Sequence, residues 1–346
     1  MKHQTTRYGE IPFYKIGTFG NTADAFISKK LFLEYKTKYS FPKKGDILIS
    51  ASGTIGRAVI YDGKPAYFQD SNIVWIDNDE TLVKNDFLFY VYSNVKWNTE
   101  HTTILRLYND NFRNTLISLP PLNEQSAIAN ILSGLDRYLC ALDALILKKE
   151  GVKKALSFEL LSQRKRLKGF NQAWQRVRLG DIANYLTSNL SVEQITQQGK
   201  IKVYDVNNFI GYTDTTFISD KPYISIVKDG SVGRVRILPP KTNILSTMGA
   251  LIANHRTTTE FLFYLLSNFD FKNFTSGSII PHIYFKDYKE KTIFLPPLNE
   301  QSAIANILSD LDNEITSLKN KKRQFENIKK ALNHDLMSAK IRVLKK

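Results

Sequence analysis

The stretch LPPLNEQSAIANILS occupies residues 119–133 and recurs without a change at residues 295–309, 176 positions further along the chain. The same offset relates KKAL at residues 153–156 to its copy at residues 329–332. FLFY occurs at residues 87–90 and again at 261–264, and the glycine turns at residues 53–57 and 230–234 also correspond. A period this long exceeds that of solenoid repeats, so it predicts a duplicated unit containing one globular domain and one helix.

The two copies match closely in the predicted helices and only at scattered positions in the regions before them. Duplication without functional meaning is one interpretation of this repeat. A shared scaffold that carries two divergent reading domains also explains the uneven identity, and it is the interpretation we favour.

Each copy of the repeated stretch is predicted to begin a long helix. Pro120 and Pro121 can stand at a helix start, Asn123 is placed to act as the N-cap, and Glu124 suits the positive end of the helix dipole. Gly151 is expected to weaken the first helix near its middle. Each helix would run for roughly 40 residues, or about 60 Å.

Apolar residues in both helices alternate between spacings of three and four, which indicates a coiled-coil seam. The residues at these spacings are Ile128, Leu132, Leu135, Leu139, Leu142 and Ile146 in the first helix, where Leu156 and Leu160 resume the seam, and Ile304, Leu308, Leu311, Ile315 and Leu318 in the second, where Phe325, Leu332 and Leu336 continue it. We predict that the two helices form an antiparallel pair with pseudo-two-fold symmetry. Parallel pairing, or packing of each helix on its own domain, remains the alternative.

The regions before the helices are predicted to be α+β domains. Hairpins are expected at residues 46–61 and 224–238, each around a glycine turn, and buried helices at residues 87–93 and 261–267. The predicted organisation is a first target-recognition domain at residues 1–119, a first helix at 120–170, a second target-recognition domain at 171–295 and a second helix at 296–346.

The composition favours a polyanionic partner. The 346 residues carry a formal net charge of +15, which suits a nucleic acid or an anionic membrane surface. Residues 1–10 are polar, unlike a secretory signal, and no apolar run approaches the ~18 residues of a membrane helix. The single cysteine, Cys140, has no partner for an internal disulfide. We therefore expect a cytoplasmic protein that binds nucleic acid.

Candidate DNA contacts come from the glycine turns and from two polar stretches in each domain. The turns would bring backbone N–H groups and Arg57 or Arg234 to the DNA, although an ordinary hairpin turn explains the same sequence. Arginine, asparagine and glutamine can read base edges, whereas lysine, serine and threonine more often hold phosphates. The candidates are Lys44, Ser52, Thr54, Arg57, Tyr67, Gln69, Asn72, Arg106, Asn109, Arg113, Lys228, Ser231, Arg234, Arg236, Ser276, Ser278, His282, Tyr284 and Lys286.

Basic residues also cluster late in each helix, where the usual interpretation is a solvated face near the negative end of the dipole. Direct phosphate contact by these residues is the alternative. They include Lys149, Lys153, Arg166, Lys319, Lys322, Lys329 and Arg342.

Sequence signatures of catalysis are missing. The sequence has no glycine-rich cofactor loop, no Asn-Pro-Pro-Tyr-like motif and no Walker loop. Its five histidines, at positions 3, 101, 255, 282 and 334, do not show metal-ligand spacing. We therefore predict no catalytic residue, no metal and no cofactor on this chain.

The Leu-Pro-Pro-Leu-Asn-Glu-Gln stretch, the two long helices and the two divergent domains resemble the specificity subunits of type I restriction–modification systems. The resemblance covers essentially the whole chain. It implies that each domain reads one half of a bipartite, asymmetric DNA site. It also implies that two modification subunits dock on the helices and methylate adenine with S-adenosylmethionine, and that motor-nuclease subunits use ATP and Mg²⁺ for cleavage.

The first half departs from the family pattern at its beginning. The second half opens with WQRVRLGDI at residues 174–182, a typical domain start in this family, and the first half has no clear equivalent. Residues 9–14 align instead with residues 199–204, and an insertion lies around residues 29–44. We therefore expect the first domain to lack a segment that the second domain has.

Two other classes of function remain as alternatives. A stand-alone nuclease or methyltransferase is disfavoured by the missing motifs. A structural coiled coil or RNA-binding scaffold is disfavoured by the two divergent globular domains.

Overall fold

The computed structural model describes residues 4–68, 72–97 and 106–344. It divides into unit 1, which comprises Met1–Asp143 and Asn320–Lys346, and unit 2, which comprises Ala144–Lys319. The helices are α1 (Lys29–Lys38), α2 (Asn85–Asn94), α3 (Asn109–Arg113), α4 (Leu122–Leu161), α5 (Thr259–Ser267), α6 (Phe285–Tyr288) and α7 (Leu298–Met337).

The described residues of unit 1 form two three-stranded sheets. Its strands are β1 (Ile11–Tyr14), β2 (Ala25–Ile27), β3 (Ile47–Ser50), β4 (Ala58–Ile60), β5 (Tyr67–Phe68) and β6 (Ile73–Trp75). The sheet orders are β2-β1-β5, in which β1 and β5 are parallel, and β4-β3-β6, in which all pairs are antiparallel. Helix α1 buries Phe32 against the first sheet, and α2 packs Phe87 against Ile47 and Ile49 of β3.

Unit 2 repeats these two sheets and adds to them. Its strands are β7 (Gln175–Arg178), β8 (Ala183–Thr187), β9 (Ile201–Tyr204), β10 (Phe209–Thr213), β11 (Tyr223–Val227), β12 (Val235–Leu238), β13 (Thr242–Ile244), β14 (Met248–Ala253), β15 (Thr275–Ser276), β16 (His282–Ile283) and β17 (Thr292–Leu295). The orders β10-β9-β13 and β12-β11-β14 correspond to those of unit 1. Strand β8 extends the second sheet beyond β14, and the pairs β17-β7 and β15-β16 are separate.

The antiparallel pairing of the long helices is confirmed within each unit. In unit 1, Asp136 of α4 lies 2.5 Å from Lys329 of α7, and the later Asp143 lies 2.7 Å from the earlier Lys322. In unit 2, ion pairs join Lys149 to Glu314, Glu150 to Lys319 and Lys153 to Asp312.

The predicted seams are also confirmed, because Ile128, Leu132 and Leu336 share one core cluster and Leu160, Ile304 and Leu308 share another. The helix ends pack on their domains as well, since Ile128 and Leu132 also join the α2 cluster. Each long helix therefore packs both on the other long helix and on its own domain.

One detail at the helix level differs from expectation. Helix α4 begins at Leu122, so Asn123 lies inside the first turn and is not the N-cap residue. The physical reason is that the Pro121 carbonyl already accepts hydrogen bonds from the N–H groups of Glu124 and Gln125 at 2.9 Å. Helix α4 also continues through Gly151 without a break.

Equivalent hydrogen bonds join the buried helices α2 and α5 to the long helices. In unit 1, the Tyr90 hydroxyl donates to Asp136 at 2.8 Å, and Lys329 lies 5.7 Å above the Tyr90 ring. In unit 2, Tyr264 donates to Asp312 at 2.9 Å, and Lys153 lies 5.7 Å above its ring. Burial, with the neighbouring aspartate as the second cause, raises the pKa of both tyrosines. The mixed helix and sheet architecture confirms the α+β class.

Candidate nucleic-acid interface

The two glycine turns have the same backbone and the same packing. Gly53 and Gly56 have φ of 66° and 80°, and Gly230 and Gly233 have φ of 83° and 80°. This left-handed region favours glycine. The second glycine also lies against an aromatic ring, because a Cβ on Gly56 would lie 2.4 Å from Trp97 and one on Gly233 would lie 2.5 Å from Phe271.

Backbone N–H groups of both turns are used to close the hairpins. The N–H of Gly56 donates to the Ser50 carbonyl, and the N–H of Gly233 donates to the Val227 carbonyl, both at 2.9 Å. The prediction that the turns offer N–H groups to DNA is wrong for these amides. Any contact from the turns has to come from their side chains or from other amides.

The arginines that follow the turns are exposed, yet each is held by its own unit. Arg57 donates to the Phe19 carbonyl at 2.9 Å, and Arg234 donates to Asn207 Oδ1 at 2.9 Å. Arg236 donates to the Asn207 carbonyl at 3.0 Å and lies 5.2 Å above the Tyr204 ring. These contacts fix the guanidinium groups in position at the edge strands β4 and β12.

The structure brings together the turn and the later polar stretch of each domain. In unit 1, Ser52 forms an isolated antiparallel bridge with Arg106, and its hydroxyl donates to Asn72 Oδ1 at 2.8 Å. In unit 2, Asp229 forms the corresponding bridge with His282, next to Lys228. Candidates that are far apart in the sequence therefore share one surface in each unit.

Most of the remaining candidates are exposed on the same polypeptide stretches. Lys286 lies 5.5 Å above the Tyr284 ring, and Arg113 lies 3.5 Å from Asp110. The exposed candidates are Lys44, Thr54, Asn109, Arg113, Ser231, Ser276, Ser278, Tyr284 and Lys286.

Tyr67 and Gln69 differ from the exposed candidates. Tyr67 is only 5% exposed and packs against Phe13, Tyr35 and Phe41, so the prediction that it contacts DNA is wrong. Its side chain faces the α1 side of the first sheet, where aromatic burial outweighs any role at the surface. Gln69 lies outside the described residues.

Sequence reasoning missed two residues that organise this surface. Asn207 holds both Arg234 and Arg236, and Asp229 lies 2.6 Å from the ring nitrogen Nδ1 of His282. Asp229 directly precedes the glycine turn, as Ser52 does in the other copy. This correspondence between the two copies could have identified Asp229 as a residue of the interface.

Several basic residues of the long helices are committed to ion pairs. The Arg166 guanidinium lies 2.6 Å from the buried carboxylate of Glu300, and Arg342 pairs with Glu124 at 2.5 Å. Hydrogen bonding from Arg342 lowers the pKa of Glu124, and the carboxylates raise the pKa of both arginines. These residues hold the helix ends together, whereas Lys148, Lys154 and Lys330 are exposed.

Among residues 4–68, 72–97 and 106–344, no group of three histidine, cysteine, aspartate or glutamate side chains could hold a metal ion. In the same part of the chain, no helix combines the length and the apolar character that crossing a membrane requires.

A model of the type I restriction modification DNA specificity domain matches residues 1–149 and 171–327. These matches cover most of the sequence, so the chain belongs to this family.

Among its relatives, a putative type I restriction enzyme specificity subunit of Haemophilus influenzae is 65% identical over 133 residues, which are 38% of this chain and 34% of that protein. A putative type I restriction enzyme specificity subunit of Methanocaldococcus jannaschii is 28% identical over 337 residues, which are 86% of this chain and 79% of that protein.

The fold also agrees with a solved structure. The S subunit of a type I restriction–modification system from M. genitalium matches with a TM-score of 0.64 at 20% identity, covering 97% of this chain and 91% of that one. A structure of complex assembly and conformational transition in a type I system matches with a TM-score of 0.56 at 16% identity, covering 85% and 82%. At these identities the likeness concerns the fold.

Proposed function

We propose that this chain is the DNA-specificity subunit of a type I restriction–modification complex. Residues 1–119 and 171–295 are the two target-recognition domains, and residues 120–170 and 296–346 form the paired helices. Each domain reads one half of a bipartite, asymmetric DNA site. The helices fix the spacing between the half-sites and dock two modification subunits, and restriction subunits join that assembly.

The observation that carries this proposal is one backbone arrangement bearing different side chains. Both units contain the same two sheets, the same glycine turn and the same bridge beside it. The bridge residues are Ser52 and Arg106 in unit 1 and Asp229 and His282 in unit 2. A shared scaffold with different polar side chains is what two unlike half-sites require.

The net charge of +15 supports a DNA partner. Each cation that neutralises a phosphate releases a counterion, so affinity is expected to fall steeply with added salt. RNA has the same phosphate charge, so competition between duplex DNA and duplex RNA is the relevant control. Equal affinity for the two duplexes would count against the proposal.

Docking of modification subunits is supported by apolar side chains on the outer surface of α4. Leu147 is 71% exposed and Phe158 is 53% exposed, and neither belongs to the seam. The eleven positions between them are about three helical turns, so both lie on one face of α4, and apolar side chains grouped on one exposed face support binding of another protein. Replacing both with serine is expected to weaken assembly with the modification subunits and to leave DNA binding unchanged.

The chain is proposed to have no catalytic activity of its own. Adenine methylation with S-adenosylmethionine and ATP- and Mg²⁺-dependent cleavage belong to the partner subunits. A homogeneous preparation is expected neither to methylate nor to cut DNA, and to support methylation once modification subunits are added. Activity of the isolated chain would contradict this assignment.

The experiment that tests the reading role compares one arginine from each unit. We expect Arg57→Ala and Arg234→Ala each to weaken DNA binding by about 1–3 kcal/mol if the side chain reads a base. Each should relax only its own half-site when methylation by the assembled complex is mapped. Arg323→Ala, on the exposed side of α7, is the control for simple loss of charge. If both variants bind and methylate as the wild type does, these arginines have only a structural role.

A further inference from the structure

The bridge beside each glycine turn places one side chain of the later polar stretch at an equivalent position in both units. The residue at this position is Arg106 in unit 1 and His282 in unit 2, and its bridge partner is Ser52 or Asp229. The partner directly precedes the first glycine of the turn in both cases. Two unlike residues therefore occupy one position of the candidate interface.

The His282 ring is held in one orientation by a carboxylate. Nδ1 of His282 lies 2.6 Å from Oδ1 of Asp229, and the two side chains are 35% and 30% exposed. A carboxylate can only accept a hydrogen bond, so Nδ1 is the donor. In the neutral imidazole the other nitrogen, Nε2, is then an acceptor.

The backbone around His282 is fixed on both sides. The N–H of Ile283 donates to the Lys228 carbonyl and the N–H of Gly230 donates to the Pro281 carbonyl, both at 2.9 Å. Ile283 is 1% exposed, and alternate residues of a strand face opposite sides. The side chain of His282 therefore points away from the core.

A glycine makes room for this ring. Gly277 has φ of 90°, and a Cβ at this position would lie 3.0 Å from Cδ2 of His282 and 2.2 Å from the Ile280 carbonyl oxygen. The hairpin that contains His282 continues into an exposed apolar tip at Ile279, which is 92% exposed. The ring thus lies between the glycine turn and an exposed hairpin tip.

We propose that His282 reads a base that presents an amino group in the major groove, and that Asp229 is the positioning residue that fixes its tautomer. With Nε2 as acceptor, the group recognised is the N6 amino group of adenine or the N4 amino group of cytosine. At the equivalent place, Arg106 carries only donors and suits guanine, whose O6 and N7 are acceptors. This inference rests on the proposed function and assigns opposite hydrogen-bonding character to one position of each half-site.

The test uses the full chain assembled with its modification subunits and a pool of duplexes in which one half-site is randomised. The wild type is expected to select adenine or cytosine at one position of the half-site read by unit 2. His282→Ala should reduce that preference by about two- to tenfold, the range that one hydrogen bond supplies, with the other positions unchanged. Asp229→Asn should reduce the preference at the same position, because the tautomer is no longer fixed.

The decisive variant gives unit 2 the two bridge residues of unit 1. Asp229→Ser combined with His282→Arg is expected to shift the selected base at that position to guanine. Arg106→Ala serves as the matched control, since it should relax one position of the other half-site only.

Three results would overturn the proposal. If His282→Ala and the double variant both retain the wild-type preference, the His–Asp pair only holds the hairpin. If His282→Ala loses affinity equally for every duplex, the residue does not read a base. In both cases the proposed function stands. If the wild-type complex selects no sequence, the proposed function and this inference fail together.

Discussion

The two units contain identical residues whose surroundings differ at the start of the repeated stretch. Leu295 of unit 2 is 4% exposed because β17 pairs with β7, whereas Leu119, the same residue of the other copy, is 48% exposed. Two positions earlier, Ile293 of unit 2 is 8% exposed, whereas the equivalent Ile117 of unit 1 is 36% exposed. The burial of the repeated stretch therefore depends on a neighbouring segment that lies outside the repeated stretch.

That neighbour is the segment that carries Trp174 and strands β7 and β8. It fills the core of unit 2 with Leu179 and Ile182, both at 0% exposure, and the Trp174 indole N–H donates to Glu300 at 3.0 Å. Within the described residues of unit 1, no strand occupies the place of β7 or β8. Unit 1 has α1 in the loop that is a simple connection in unit 2, and α1 packs on the other sheet.

The largest expected difference between the units follows from this contrast. We expect Leu295→Ala to lower the free energy of unfolding by about 2–5 kcal/mol, because it removes a fully buried side chain. Leu119→Ala should change it by less than about 0.5 kcal/mol, as exposed substitutions do. Urea denaturation of the two variants measures both values. Similar losses would show that the repeated stretch is buried equally in both units.

The Glu124–Arg342 ion pair makes the stability of unit 1 depend on pH. Arg342 lowers the pKa of Glu124 below the ordinary value of 4.5, so the unfolded chain takes up this proton first as the pH falls. The pair therefore stabilises unit 1 fully above pH 4.5, and this contribution is lost as the pH falls through the lowered pKa. We expect Arg342→Met to be less stable than the wild type at neutral pH, with a difference that narrows in acid.

Thermal unfolding of the wild type and of Arg342→Met from pH 7 to pH 3 measures how far their stability difference decreases. Arg323→Met, which removes a charge from an exposed part of α7, should follow the wild type throughout. A difference that stays constant at every pH would contradict the role assigned to Arg342.

The smallest effect is expected where the units agree. Tyr90→Phe and Tyr264→Phe each remove one hydrogen bond to an aspartate of similar length, 2.8 Å and 2.9 Å. Each should cost about 1 kcal/mol of stability, and the two values should match. Chemical denaturation measures both. Unequal losses would mean that the two domains are fastened to the helices differently.

The sequence predicted the features that a short window encodes. The helix seams, the antiparallel pairing and both glycine hairpins follow from spacing and from the repeat, and the alignment of residues 9–14 with 199–204 agrees with the equivalent places of β1 and β9 in their sheets. Gly9 and Gly199 also have the same close neighbour, because a Cβ added to either glycine would lie 2.8 Å from the Cβ of an aromatic residue on the adjacent strand.

Contacts between distant residues were not predictable. Asp229 and His282 are 53 positions apart, and Arg234 and Asn207 are 27 apart, so only the folded backbone shows that they meet. The prediction for Tyr67 is wrong because its two-residue strand is too short for the sequence to show which face is buried.

The most direct test of the central claim lengthens the paired helices at the boundary between the units. One heptad is inserted after Asp143 in α4 and one after Lys319 in α7, where the division of the chain leaves the contacts inside each unit in place. The seam stays in register because the inserted length is one coiled-coil repeat. Seven residues add about 10 Å of helix, and a base pair occupies about 3.4 Å of duplex.

The measurement is the map of methylated sites made by the lengthened chain with its modification subunits. If the helices set the spacing, both half-sites stay the same and the unread gap between them grows by up to ~3 base pairs. The increment is smaller where the domains must also follow the groove. An active complex that methylates the original sites, with an unchanged gap, would contradict the account.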